Sequence, residues 1–129
     1  MTDKYAAGLE VAEEMFGADV VNALKASLSS SSFGAQRGPL ALGYVFGELW
    51  TRPGLDRRGR SLVTLGILIA LRQMEELKIH VLAAIRNGCT VQEIEEVIYH
   101  ATAYAGFPAA SQAATVVAEV LKAHSLIQQ

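Results

Sequence analysis

No stretch of this 129-residue chain sustains the apolar–polar alternation that a half-buried strand needs, while helix start and stop signals recur along its whole length. That pattern leaves an all-α fold. Asp3 can cap a first helix running to about Phe16, with Gly17 as its stop. Asp19 can cap a second, short helix ending near Leu28. A polar break follows, Ser29 to Ser32 and then Phe33-Gly34. Pro39 suits the first turn of a third helix that ends near Trp50.

Arg52-Pro53-Gly54 reads as a turn, and Asp56 as the cap of a fourth helix. That helix carries Leu62, Val63, Leu65, Ile67, Leu68, Ile69 and Leu71, apolar nearly all round, so it is expected to be central. A fifth helix, about Glu75 to Asn87, stops at Gly88. Thr90 and Glu93 form a capping box for a sixth, to about Tyr104. Gly106 and Pro108 separate it from the last, about Pro108 to Ala123. The expectation is a single domain over residues 1–129 built of six or seven helices, with no internal repeat.

Composition narrows the function. Apolar residues make up 51% and charged residues 19%, an apolar excess that points to surface buried between subunits. The net charge of −2 supplies no basic field for nucleic acid. The one cysteine, Cys89, excludes an internal disulfide framework, a Cys-rich zinc site and a CxxC redox pair. The acidic, amphipathic N-terminus does not read as a signal peptide. The longest apolar stretch, Leu62 to Leu71, is half of what a membrane span needs, about 20 residues. The expectation is a soluble, cytoplasmic protein.

Chemistry-bearing residues gather in the second half. Glu76 and His80, spaced i, i+4, share a helix face. A carboxylate one turn before an imidazole can orient it and raise its basicity, so the pair can move a proton. The alternative is a surface ion pair. His100 and Tyr104 repeat the spacing near the end of the sixth helix, as a polar pair or as packing at the core edge. Four arginines fall between Arg52 and Arg60 without interleaved aromatics. Arg52 and Arg60 can grip small carboxylates bidentately or remain solvated. A His80, His100 and Glu76 metal set lacks HExxH spacing, and no metal is assigned. Ser61 and Ser111 have no GxSxG context.

The elements Trp50-Thr51-Arg52-Pro53-Gly54-Leu55-Asp56-Arg57-Arg58…Arg60-Ser61-Leu62, Glu76-Leu77…His80…Ala83-Ala84…Asn87-Gly88 and Tyr104-Ala105-Gly106-Phe107-Pro108-Ala109-Ala110, in this order and spacing, closely resemble the carboxymuconolactone decarboxylase family. The resemblance runs along almost the whole chain. It implies an all-helical, alkylhydroperoxidase-like fold and a homo-oligomer, usually a hexamer built as a trimer of dimers. It also implies a cofactor-free loss of CO₂ from 4-carboxymuconolactone, a dicarboxylated lactone, to give 3-oxoadipate enol-lactone in protocatechuate (beta-ketoadipate) breakdown. On this resemblance His80 is the proton donor, oriented by Glu76. Arg52, Arg60 and Trp50 join His100 and Tyr104 as substrate-binding residues. The thiols of the related peroxidase branch are absent, their positions taken by Gln73 and Glu76, and the upstream Glu by Ser61. Ser29 to Gly38 departs from the more charged family pattern and is expected at the pocket mouth. The open alternatives are an enzyme of the same fold acting on another lactone or acidic metabolite, and a non-catalytic oligomeric binding protein.

Overall fold

In the computed structural model, which describes residues 3–129, the chain packs as two compact units, one up to Asp56 and one over Arg57–Gln129. Among the described residues there are helices and no strands. The first unit holds α1 (Asp3–Phe16), α2 (Ala18–Ser27), α3 (Arg37–Leu40) and a π-helix (Ala41–Leu49) that continues α3. The second holds α4 (Arg57–Ala70), α5 (Met74–Arg86), α6 (Val91–Tyr104) and α7 (Phe107–Ala123).

In the first unit the main packing is α1 against the π-helix. Phe16 meets Phe46 edge to face, ring centroids 5.4 Å apart and planes at 78°. Glycines set how closely the backbones approach. A Cβ on Gly8 would collide with the Leu42 carbonyl oxygen, and one on Gly47 with that of Lys4. Two expectations are corrected here. The third helix begins at Arg37, with Pro39 in its first turn as expected, but from Ala41 it widens from α to π geometry, with Trp50 N–H donating to Val45 O at 2.9 Å. The N-cap of α2 is Gly17 at φ 92°, with no side-chain cap, and Asp19 lies inside the first turn, where its charge still favours the helix N-terminus.

The second unit is built as the capping and stop signals dictate. Thr90 Oγ1 accepts from Glu93 N–H at 3.0 Å, and Glu93 Oε1 accepts from Thr90 N–H at 2.9 Å. Glu93 also pairs with Arg58, so one carboxylate ties the start of α6 to the start of α4. Gly88, at φ 96°, closes α5 in a Schellman motif: Cys89 N–H donates to Ala84 O at 2.9 Å and Gly88 N–H to Ile85 O at 3.1 Å. The same double bond closes α4 without a glycine: Gln73 N–H reaches Leu68 O at 2.9 Å, and Arg72 takes the left-handed conformation at φ 58°.

The core of this unit is a set of helical stripes. Leu65 and Ile69 come from α4, Leu77, Val81 and Ala84 from α5, Ile94 and Ile98 from α6, and Ala113, Val117 and Leu121 from α7. Helix α4 packs on α5, α6 and α7, yet it is not buried all round as its sequence suggests. Only Ser61, Leu65 and Ile69 are buried, while Val63 and Ile67 remain 53% and 52% exposed. An apolar helix face therefore stays open. Gly66 lies on it, with nothing within 4 Å of where its Cβ would stand. A glycine inside a helix costs about 0.5–1 kcal/mol against alanine. Gly66→Ala is therefore expected to raise the free energy of unfolding by that amount, read from the denaturant midpoint. An unchanged or lower midpoint would show that the open face does not tolerate a methyl group.

Candidate active site

The spacing of Glu76 and His80 is realised on α5. They stand one helical turn apart on one face. Glu76 is exposed and His80 half-buried, with its Nδ1 atom buried. Two effects act on the imidazole. Burial disfavours its charged form and is the larger, so its pKa lies below the usual 6.5; the Glu76 carboxylate works in the opposite direction. His80 is therefore mostly neutral at pH 7. Its protonated form, when it exists, is a stronger acid than an ordinary imidazolium.

The other expected pair is on α6. His100 and Tyr104 stack with ring centroids 5.1 Å apart and planes at 27°. Both are exposed, Tyr104 to 83%, so core-edge packing is not their role within the chain. They line an open groove of about 1030 Å³ between α4 and α6, together with Leu62, Val63, Gly66 and Ile67. Glu93 and Glu96 also line it, and no Lys or Arg does. The groove is thus apolar and acid-rimmed, a poor receptacle for a dianion on electrostatic grounds. His80 and Glu76 are not among its lining residues.

The remaining candidates lie on other elements. Arg60 lies in the first turns of α4, half-buried, with its Nε atom buried. Trp50 closes the π-helix and is 7% exposed; Arg52 is exposed in the turn that follows. Both belong to the first unit. In the Ser29–Gly38 segment Phe33 is fully exposed, at 106%. Among the described residues no group of three or more His, Cys, Asp or Glu is arranged to hold a metal ion, so His80, His100 and Glu76 do not converge as a ligand set. No helix of the structure is long and apolar enough to cross a membrane.

Sequence reasoning missed one polar contact at the C-terminal end of α5. Asn87 Nδ2 donates to Ser61 Oγ at 2.9 Å, joining the end of α5 to α4, and Ser61 is 1% exposed. The two residues are 26 positions apart. Both stand in segments that carry the family resemblance, Arg60-Ser61-Leu62 and Asn87-Gly88, but nothing in the sequence signals that they meet.

Chemically, the α5 face offers an imidazole of lowered pKa biased by a carboxylate, with an arginine at the start of the adjoining helix. Such a set can deliver a proton to an anionic carbon or oxygen. The profile of the carboxymuconolactone decarboxylase family matches residues 40–119. A 4-carboxymuconolactone decarboxylase of Acinetobacter baylyi is 40% identical over 119 residues, 92% of this chain and 87% of that protein. A nitrosuccinic acid decarboxylase of Metarhizium robertsii is 38% identical over 110 residues, 84% of this chain and 75% of that protein. An uncharacterized 15.0 kDa protein of Paracoccus denitrificans is 32% identical over 77 residues, 58% of each chain.

Proposed function

Because the chain belongs to the carboxymuconolactone decarboxylase family, we propose that it is a carboxy-lyase that removes CO₂ from 4-carboxymuconolactone to give 3-oxoadipate enol-lactone. The observation that carries this reading is the 40% identity to the Acinetobacter enzyme over 92% of the chain. The Glu76–His80 pair on α5 supports it with chemistry suited to the step.

The reaction needs little from the protein. The carbon–carbon bond to the leaving carboxylate breaks, and its electron pair moves through the ring alkene onto the lactone carbonyl. CO₂ departs and a furanolate remains. One proton must then reach the ring carbon next to the carbonyl. An apolar surrounding favours loss of the carboxylate charge. His80 is the donor in this reading and Glu76 its orienting carboxylate. Arg60, and Arg52 of the first unit, are assigned to the substrate carboxylates, which a guanidinium holds bidentately. Trp50 is kept with them as a binding residue. The uncovered apolar face of α4 and the exposed His100–Tyr104 stack favour a homo-oligomer, a hexamer in this reading, with that stack and groove facing a neighbouring subunit. The chemistry of a metabolic lyase favours a cytoplasmic location.

A direct test is CO₂ release and loss of ultraviolet absorbance with 4-carboxymuconolactone, with no added metal or cofactor. Turnover supports the reading, and a folded protein without turnover refutes it. The similarity to a nitrosuccinic acid decarboxylase favours a second reading, carboxyl loss from another small acid, so that acid belongs in the same assay.

The pH profile tests the pair. A donor must be protonated, so kcat/KM is expected to fall as pH rises through the His80 pKa, which lies below 6.5. Glu76 raises that pKa. Glu76→Gln is therefore expected to move the falling limb to lower pH, with less activity left at pH 7. A limb that stays in place would remove Glu76 from the site.

A further inference from the structure

The open groove between α4 and α6 has a direction. Arg58 and Glu93, which tie the two helix starts together, are 35 positions apart. The same offset relates Leu62 to Val97, Gly66 to Ala101 and Ala70 to Ala105 among the residues lining the groove. The two helices therefore run parallel along it, and its ends differ. Glu93 and Glu96 stand at the end where the helices start. At the other end His100 and Tyr104 stack, both exposed, and offer an imidazole N–H and a phenol O–H as donors. Glu93 is engaged by Arg58 and by the capping box, so Glu96 is the groove carboxylate that faces solvent.

The middle of the groove suits another helix. Val63 and Ile67 on α4, and Leu71 just beyond it, recur every four residues and are 53%, 52% and 63% exposed. Gly66 lies among them at a point where nothing in the chain requires a glycine, and the missing Cβ lets a second backbone come close. A contiguous exposed apolar face of this kind marks an interaction surface. A second copy of this chain brings a matching apolar stripe. Laid in reverse, it also brings its acid end to the donor end of the first copy, and a two-fold axis makes both matches at once. The levels agree. Gly66 is level with Ala101, so an axis there leaves Glu96 about 7.5 Å to one side along α6 and Tyr104 about 4.5 Å to the other. Reversal then brings Tyr104 to within about 3 Å of the level of Glu96 of the partner subunit. A parallel pairing would instead set Glu96 against the partner's Glu96, a like-charge contact that costs affinity.

We propose that the α4–α6 groove is where two copies of this chain pack, antiparallel about a two-fold axis at Gly66, with Tyr104 of each copy donating to Glu96 of the partner subunit. This rests on the reading of the chain as a homo-oligomer and is independent of which acid it decarboxylates.

The test uses the full chain and reads association, not turnover. A residue on a two-fold axis meets its own counterpart. Gly66→Cys is therefore expected to cross-link under diamide to a species of twice 13.8 kDa, reversed by reductant, while the wild-type chain, whose cysteine is buried, does not. Glu96→Lys removes the acceptor at both ends of the pairing. It is expected to weaken self-association at least about tenfold, read by sedimentation velocity over a dilution series. Combining it with Tyr104→Glu restores opposite partners and recovers part of the loss. Circular dichroism checks that each variant stays helical. Should Glu96→Lys not fold, the Gly66→Cys cross-link decides alone. A wild-type chain that sediments as a monomer at every concentration ends the homo-oligomer reading and the proposal with it. An oligomer in which Gly66→Cys does not cross-link, or Glu96→Lys associates as tightly as the wild type, keeps the homo-oligomer reading and overturns the antiparallel pairing in the groove.

Discussion

His80→Gln is expected to lower kcat for 4-carboxymuconolactone by about 10²–10⁴-fold, the usual contribution of a positioned general acid. Glutamine matches part of the imidazole's shape and hydrogen-bonding capacity but cannot deliver a proton to carbon at neutral pH. Its effect on folding should be small, because burial already favours the neutral form of His80 in the folded chain. The loss should therefore fall on kcat, with the melting temperature and far-ultraviolet circular dichroism retained. The same assay on His100→Gln gives the contrast. His100 is exposed on the groove, away from the α5 pair, and its replacement should act mainly through KM. A His80→Gln enzyme that keeps wild-type kcat would remove His80 from the reaction and leave the proton to another group.

The second large effect concerns the scaffold that carries the site. Leu77 is 0% exposed, three residues before His80, on the face of α5 that packs into the core. Leu77→Ala is expected to cost about 2–5 kcal/mol, through lost burial and the cavity left behind. That is a large part of the roughly 5–15 kcal/mol that holds a domain folded. The denaturant midpoint measures it, with an unchanged slope showing that the unfolded state is the same. Val63→Ala on the open face of α4 supplies the control. Val63 is 53% exposed within the chain, so its truncation should stay within about 0.5 kcal/mol in the separated subunit. Equal costs at the two positions would mean that the groove face of α4 is covered in solution and belongs to a packed interior.

His80→Gln and Leu77→Ala separate two tasks of α5. The core stripe, Leu77, Val81 and Ala84, holds the helix in register. The flank next to that stripe places a histidine where burial and a carboxylate act on it in opposite directions. The donor role proposed for His80 draws on both. A fully solvated His80 would have the ordinary acidity of imidazole, and an unanchored α5 would not hold its orientation.

Much of this was readable from residues alone, wherever the cause is local. Capping and stopping act within one turn, so Thr90 with Glu93, Gly88 and Gly106 marked their helix ends correctly. The i, i+4 pairs Glu76–His80 and His100–Tyr104 follow from helical geometry and needed only the helices to be right. The order of the motifs placed the chain in its family. The π-helix, the glycine-free left-handed stop at Arg72 and the open face of α4 were not readable. An apolar residue carries the same sequence signal whether its neighbours cover it or leave it exposed. The Ser61–Asn87 bond lay beyond reach for the same reason. It exists only because α4 and α5 pack side by side and bring together two ordinary residues 26 positions apart. Local chemistry thus determined the helices and the pairs along them. Packing between helices decided that His80 is half-buried while Glu76 stays exposed, and that His100 and Tyr104 line a groove.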